Sequence, residues 1–304
     1  MVSDASNSGA NEYMGRDRPE GRRMMTIEYL DERLRDVKPA GVTLDADGVL
    51  HRGRNALPGA ADLLRGLDAR GIPWQIVTNN SRQTAQRAAA HFRAIGLPVG
   101  DANVLTAADA MAAFIARDHA GTHGRSGQPL VYPVGDRDQR DCLIAGGCRL
   151  TDDEDRAEYV AVGVNRQLTF QRLFHACNAI RRGAQFVVAN MDATVPTETG
   201  AIPGAGALAA AIRVATGRDP FNIGKPAPEL MIQALRKMGC VADLSIHVGD
   251  RIDSDVPAAR QANMWAVLVT TGDFDRASGV AATGDARPHL IAPDLPTLNG
   301  WLLR

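Results

Sequence analysis

Two carboxylates stand two residues apart in GVTLDADGVLHRG, residues 41–53: Asp45 and Asp47, with Ala46 between them and Gly48 after. Val42 and Leu44 read as the end of a buried strand. Asp-Gly is ordinary turn chemistry, so this motif alone is either a surface turn or a reactive site. Three more polar clusters occur in related settings: Thr78, Asn79 and Asn80 after WQIV, Lys225 with Pro226 after FNIG, and Asp250, Arg251, Asp253 and Asp255 after SIHVG. Lysine occurs only at Lys38, Lys225 and Lys237, so its placement between Gly224 and Pro226 is informative. Singly, TNN reads as a loop and GDRIDSD as a helix start whose acids suit the helix dipole. Except for the Lys225 segment, each cluster directly follows the apolar run of a predicted strand. In an open parallel sheet the carboxyl ends of strands line one edge, where ligands bind, so residues two hundred positions apart would converge.

That convergence has a definite chemistry. Acids brought close together repel and stay partly protonated unless a cation joins them. Oxygen ligands in an open site suit Mg²⁺, which keeps several waters and uses few carboxylates. A metal beside an anionic nucleophile requires an anionic substrate, and Thr78, Asn79 and Lys225 supply donors for its oxygens. The combination suits a phosphoryl group: metal and lysine offset charge while a carboxylate attacks phosphorus.

The elements that must position these residues can be read from apolar spacing. TIEYLDERLRDVKPAG predicts a short helix ended by Pro39 and Gly41, and GVTLDAD a strand. GAADLLRGLDARG predicts a helix stopping at Gly71. SRQTAQRAAAHFRAIG and TAADAMAAFIARDHAG predict helices with Ser81 and Thr106 as N-caps. Alternating strands and helices imply a parallel sheet covered on both faces. The polar stretch GTHGRSGQP, residues 121–129, marks a crossing into a second small α/β unit, after which PGAGALAAAIRVATG predicts a helix and the first alternation resumes. The expected organisation is a flexible tail over 1–25, a main domain over 26–121 and 219–304, and an inserted domain over 122–218.

With 304 residues, 45% of them hydrophobic, the chain can bury a large core, and its net charge of −1 offers no footprint for nucleic acid or an acidic membrane surface. No apolar run reaches membrane-spanning length, and the first residues lack a secretory core. Cys142, Cys148, Cys177 and Cys240 form no C-x-x-C pair and read as buried hydrophobes in a reducing, cytoplasmic setting.

LDADGVL, TNNSR, GKP and GDRIDSD resemble the four motifs of the haloacid dehalogenase superfamily of aspartate-based phosphatases. Residues 162–208 look like the large α/β cap of its p-nitrophenylphosphatase-like branch, subfamily IIA, and the similarity runs from about residue 40 to the C-terminus. The resemblance implies a Rossmann-like doubly wound core with an inserted α/β cap, and a Mg²⁺-dependent phosphomonoesterase acting on a small phosphorylated metabolite. It implies Asp45 as the nucleophile that forms an aspartyl-phosphate and Asp47 as the acid, then base. Thr78, Asn79 and Lys225 become phosphate ligands. Asp45, the carbonyl of Asp47, Asp250 and Asp255 form the metal set, with Asp255 acting directly or through water. Asp253 ranks lower. Residues two apart on a strand face one side, which is how Asp45 and Asp47 would share one phosphorus atom.

The loop 190–204 aligns with the family's substrate-specificity loop, implying Asp192, Thr194 and Val195 as cap residues that meet the substrate. Without a cation between Met191 and Gly204 it favours a small, neutral, hydroxyl-rich leaving group, though Arg166 could compensate. His51 reads as a loop residue. Cap-mediated homodimers are frequent in the branch, so a dimer is expected. A phosphotransferase or mutase on the same core, and a non-catalytic phosphometabolite-binding protein, are the competing readings.

Overall fold

The computed structural model describes residues 26–121, 126–197 and 200–304; the tail expected over 1–25 lies outside them. Seven strands form the larger sheet, in the order Glu28–Tyr29, Leu290–Ala292, Trp265–Val269, Ser245–Gly249, Gly41–Leu44, Trp74–Thr78, Val104–Thr106. Only the first pairing is antiparallel. The strands are almost wholly buried, as a parallel sheet covered on both faces requires. Successive residues face opposite layers. Ile76, Val267 and Val269 pack with the Leu63, Leu64 and Leu67 face of helix Ala60–Ala69 and with helix Leu295–Leu302. Val77, Ala266 and Leu268 pack with Met111 and Ile115 of helix Ala107–Gly121 and with Leu230, Met231 and Ala234 of helix Glu229–Met238.

A second, five-stranded parallel sheet runs Phe221–Asn222, Gln185–Val188, Tyr159–Val162, Leu130–Pro133, Arg149–Leu150. Its two faces also divide by alternation. Val160, Val162, Phe186 and Val188 pack under helices Phe170–Arg181 and Ala205–Thr216, whereas Tyr159, Ala161 and Val187 join the apolar layer that includes Met111 and Ile115. Phe221–Asn222, which the sequence assigned to the resumed main unit, is an edge strand of this second sheet. Phe221 stacks on Phe114, ring centroids 4.3 Å apart, and that stack ties the edge to the main unit.

Three local expectations differ from the structure. Residues 26–41 form no α-helix: Glu28–Tyr29 pairs with Ile291 and Leu290, and a 3₁₀ turn follows at Glu32–Asp36. The open edge of the sheet outweighs the helical pattern, as tertiary pairing commonly overrides local propensity. The helix expected to start at Ser81 is capped by Thr84, whose side chain accepts from Arg87 N–H; Ser81 is instead buried in the turn leaving the strand. Pro203 belongs to a hairpin, Thr194–Thr197 with Gly200–Pro203, and the helix begins at Ala205. The Thr106 cap is present, its hydroxyl accepting from Asp109 N–H at 3.2 Å. Cys142, Cys148 and Cys177 are buried and Cys240 half-buried, all free. Among the described residues no helix is long and apolar enough to cross a membrane.

Candidate active site

Ser245–Gly249, Gly41–Leu44 and Trp74–Thr78 are adjacent and parallel, so Asp250, Asp45 and Thr78 leave or end their strands at one edge. The chain winds outward in one direction from Gly41–Leu44 to Val104–Thr106 and in the other from Ser245–Gly249 to Leu290–Ala292. The acids therefore sit where the strand order reverses, the crevice at which open α/β sheets bind ligands.

Asp45, Asp250 and Asp255 each bring a carboxylate oxygen within 4.8 Å of the others. Lys225 reaches into them: its Nζ bonds Asp45 Oδ1 and lies 2.6 Å from Asp255 Oδ1. All four residues are buried. Burial pushes the Asp45 carboxyl up, Lys225 pulls it down, and the Asp255 and Asp250 charges raise it again, for a net rise to about 8. Burial, then Asp255, lifts Asp250 to about 6. Burial opposes ionisation of Asp255, but Lys225 and His247 overcome it and hold this carboxyl below its usual range. Burial likewise disfavours charge on Lys225, and the two aspartates more than restore it. One ammonium for three carboxylates leaves the cluster short of positive charge.

A divalent cation fits that deficit. Asp250 Oδ2 accepts from Asp273 N–H at 3.1 Å, whereas Asp250 Oδ1 is buried with no hydrogen-bond partner among the described residues. A buried carboxylate oxygen without a donor is costly unless a cation meets it. The all-oxygen donor set is that of a hard ion. The approach of Asp250 to the loop after Asp47 depends on Gly48, at φ +77°, where an added Cβ would stand 2.4 Å from Asp250 Oδ2.

Asp47 contrasts with Asp45. Its side chain is 82% exposed and faces the cleft, with His51 Nε2 3.5 Å from Oδ1. His51 is not a loop residue: it begins a short hairpin strand, is buried beside His91 and Phe92, and meets the Gly53 carbonyl through Nδ1. Thr78 Oγ1 accepts from Asn80 N–H at 3.2 Å, leaving the hydroxyl hydrogen to donate. Asn79 is more committed than its sequence suggests. Oδ1 accepts from Lys225 N–H at 2.8 Å, and Nδ2 donates to the Lys225 carbonyl at 3.0 Å and to Asp192 at 3.2 Å. Gly224 makes this approach possible, since a Cβ there would meet Asn79 Oδ1 at 2.7 Å.

The acids open into a cleft of about 740 Å³ between the two sheets, lined on the far side by Asn190, Asp192, Thr194 and Val195. That volume is within the small-molecule range. Asn190, not singled out in the sequence, donates to the Asn79 carbonyl at 2.6 Å and accepts from Asp192 N–H at 3.1 Å. Arg82 was also missed, while Arg251 was named in its cluster without its partners. Arg251 is bound to Asp253 and Asp273, and Asp253 is not among the carboxylates that converge with Asp45. Arg82 lines the cleft and makes no ion pair among the described residues. Residues 271–273 follow the strand Trp265–Val269, and that position was the available signal for Asp273.

Residues 42–149 match the family described as Haloacid dehalogenase-like hydrolase, and residues 222–298 match the HAD-hydrolase-like family. The 5'-nucleotidase YutF of Bacillus subtilis is 34% identical over 76% of this chain and 87% of its own length. The structure of NagD from E. coli K-12 superposes with a TM-score of 0.76 at 31% identity, covering 85% of this chain and 97% of that one. A glycerol phosphate phosphatase from Mycobacterium tuberculosis, crystallised with magnesium, gives 0.75 at 33% identity, over 86% of this chain and 76% of the other.

Proposed function

This chain belongs to the haloacid dehalogenase-like hydrolases, and from that premise we propose that it is a Mg²⁺-dependent phosphatase of small phosphate monoesters, working through an aspartyl-phosphate. The observation that carries the reading is the buried convergence of Asp45, Asp250, Asp255 and Lys225 on one edge of the sheet. The relatives support the substrate class, one being named a nucleotidase and another a glycerol phosphate phosphatase. The magnesium in the latter crystal supports the choice of ion.

Asp45, Asp250 and the carbonyl of Asp47 would hold the ion, which offsets charge on the phosphoryl oxygens and keeps Asp45 ionised. A carboxylate oxygen of Asp45 attacks phosphorus and the bond to the ester oxygen breaks. Asp47, entering as the acid, gives its proton to the departing alkoxide. The resulting Asp47 carboxylate takes a proton from water as that water attacks phosphorus. The bond to Asp45 breaks, and inorganic phosphate leaves. Lys225 faces both the nucleophile and the charge that develops on the phosphoryl group. Thr78 Oγ1 donates to a phosphoryl oxygen. The Asn79 amide is already spent, so its side chain positions Lys225 and its main-chain N–H is left for the phosphate. Asp192, Thr194 and Val195 face the leaving group across the cleft, with Arg82 as a further cation in its lining. We place the main unit over 26–121 and from the Gly224–Lys225 turn onward, with the cap between them and a cap-mediated homodimer as the assembly.

Purified protein with Mg²⁺ should release phosphate from p-nitrophenyl phosphate, and Asp45→Asn should lower release by at least about 10³-fold. Wild-type turnover by that variant refutes covalent catalysis at Asp45. Transfer of phosphate to added alcohol in preference to water would instead favour a phosphotransferase.

A further inference from the structure

We propose that His247 is a positioning residue for the metal site, donating from Nε2 to Asp255 and held in that tautomer by Thr43. The inference rests on the reading above only for the identity of the ion. His247 lies on the strand Ser245–Gly249, in register with Thr43 on the neighbouring strand, and is 1% exposed. Its Nδ1 is 2.9 Å from Thr43 Oγ1 and its Nε2 is 3.3 Å from Asp255 Oδ1.

The direction of each bond follows from the partners. Asp255 is ionised and can only accept, so Nε2 carries the hydrogen. With that hydrogen on Nε2, Nδ1 of a neutral ring offers only a lone pair to Thr43 Oγ1, so Thr43 donates its hydroxyl hydrogen to it. The chain runs one way: Thr43 O–H to Nδ1, then Nε2–H to Asp255. Thr43 Oγ1 has weaker alternatives, the Ile246 carbonyl at 3.5 Å and Met231 Sδ at 3.7 Å.

Asp255 is the point on which this acts. Oδ1 receives His247 and Lys225, and Oδ2 receives the main-chain N–H groups of Asp250 at 3.2 Å and Arg251 at 3.1 Å. Those donors fill the acceptor sites of a carboxylate. Asp255 therefore holds the main chain that presents Asp250, and it anchors Lys225, without an oxygen left over for the ion. His247 is the donor that holds Oδ1 from the strand side, beside Lys225. Outer partners of this kind are worth about 10- to 100-fold in metal affinity or activity.

The test is Mg²⁺ binding by calorimetry on the full chain, with kcat and KM for p-nitrophenyl phosphate measured alongside. His247→Met fills the space without a donor. It should weaken Mg²⁺ binding about 10-fold and lower kcat by a similar factor, with KM changed less than about 2-fold. His247→Gln places an N–H near the lost Nε2 and should return both to within about 3-fold of wild type. Wild-type Mg²⁺ binding by His247→Met overturns the inference, and so does equal impairment of the Met and Gln variants, which would mark a packing role. Should His247→Met not fold, Thr43→Val decides: weakened Mg²⁺ binding supports the chain and unchanged binding overturns it. A wild-type protein that binds Mg²⁺ yet cleaves no ester overturns the hydrolase reading and leaves the calorimetric comparison intact.

Discussion

The side chain of Asn79 grips the main chain of Lys225 from both directions, Oδ1 accepting its N–H at 2.8 Å and Nδ2 donating to its carbonyl at 3.0 Å. This clamp joins the strand end at Thr78 to the loop that carries the ammonium. The ammonium's contact with Asp45 depends on where that loop sits. Asn79→Ala removes both bonds and the link to Asp192 without touching Lys225. It should lower kcat by about 10- to 100-fold, as loss of an orienting partner does. Steady-state kinetics check this, and a kcat within about 2-fold of wild type would refute the clamp.

The exposure of Asp47 against the burial of Asp45 predicts a dependence on leaving group. An alkoxide needs a proton as it departs, whereas a nitrophenolate leaves well without one. Asp47→Asn should therefore lower turnover of an alkyl phosphate such as glycerol phosphate by about 10²- to 10⁴-fold. With p-nitrophenyl phosphate the first step survives but the base for the attacking water is gone. Rapid mixing should then show a burst of nitrophenol close to the enzyme concentration. Equal losses on both substrates, with no burst, would remove Asp47 from the proton-transfer role.

Much of this site was legible because parallel strands deliver their C-terminal residues to one edge. Asp45, Thr78 and Asp250 follow apolar runs, and the topology brings them together. Lys225 was legible through its rarity and its Gly-Pro setting rather than through a strand, since Phe221–Asn222 belongs to the other sheet. The use made of each side chain was less readable. Asn79 looks like a donor to phosphate because an amide's partners are invisible until loops distant in sequence are placed. His247 sits inside an apolar run and reads as core, and its meaning depends on Thr43 across the sheet and Asp255 beyond the turn. The segment 26–41 failed for the same reason: its helical pattern is local, and the edge that claims Glu28–Tyr29 is made by residues 290 and 291.

The bare Asp250 Oδ1 predicts how the protein responds to metal. Chelation should abolish phosphate release, and added Mg²⁺ should restore it. Because the ion binds a folded arrangement, saturating Mg²⁺ at a hundred times its Kd should add about 2.7 kcal/mol of stability. Asp250→Asn keeps an acceptor for the Asp273 N–H while removing the charge. It should raise the Mg²⁺ half-saturation concentration by at least about 10-fold and erase most of the rise in Tm. Thermal melts with and without Mg²⁺ read this directly, and an undiminished shift in the variant would place the ion elsewhere.

His289, away from the cleft, sets a pH dependence of stability. Its Nδ1 accepts from Ala266 N–H at 2.9 Å, Arg260 lies 2.9 Å from Nε2, and the ring packs against Trp265. Burial, then the Arg260 charge, lowers its pKa from 6.5 to about 4, with Arg33 adding to the fall and Asp31 opposing it. The folded state thus resists a proton that the unfolded chain accepts. The stabilisation is complete above pH 6.5 and is lost as pH falls through about 4. His289→Asn retains an acceptor for the Ala266 amide but does not titrate. Urea midpoints between pH 7.5 and pH 4.5 should therefore fall further for wild type than for the variant, and parallel curves would show that His289 carries none of the acid sensitivity.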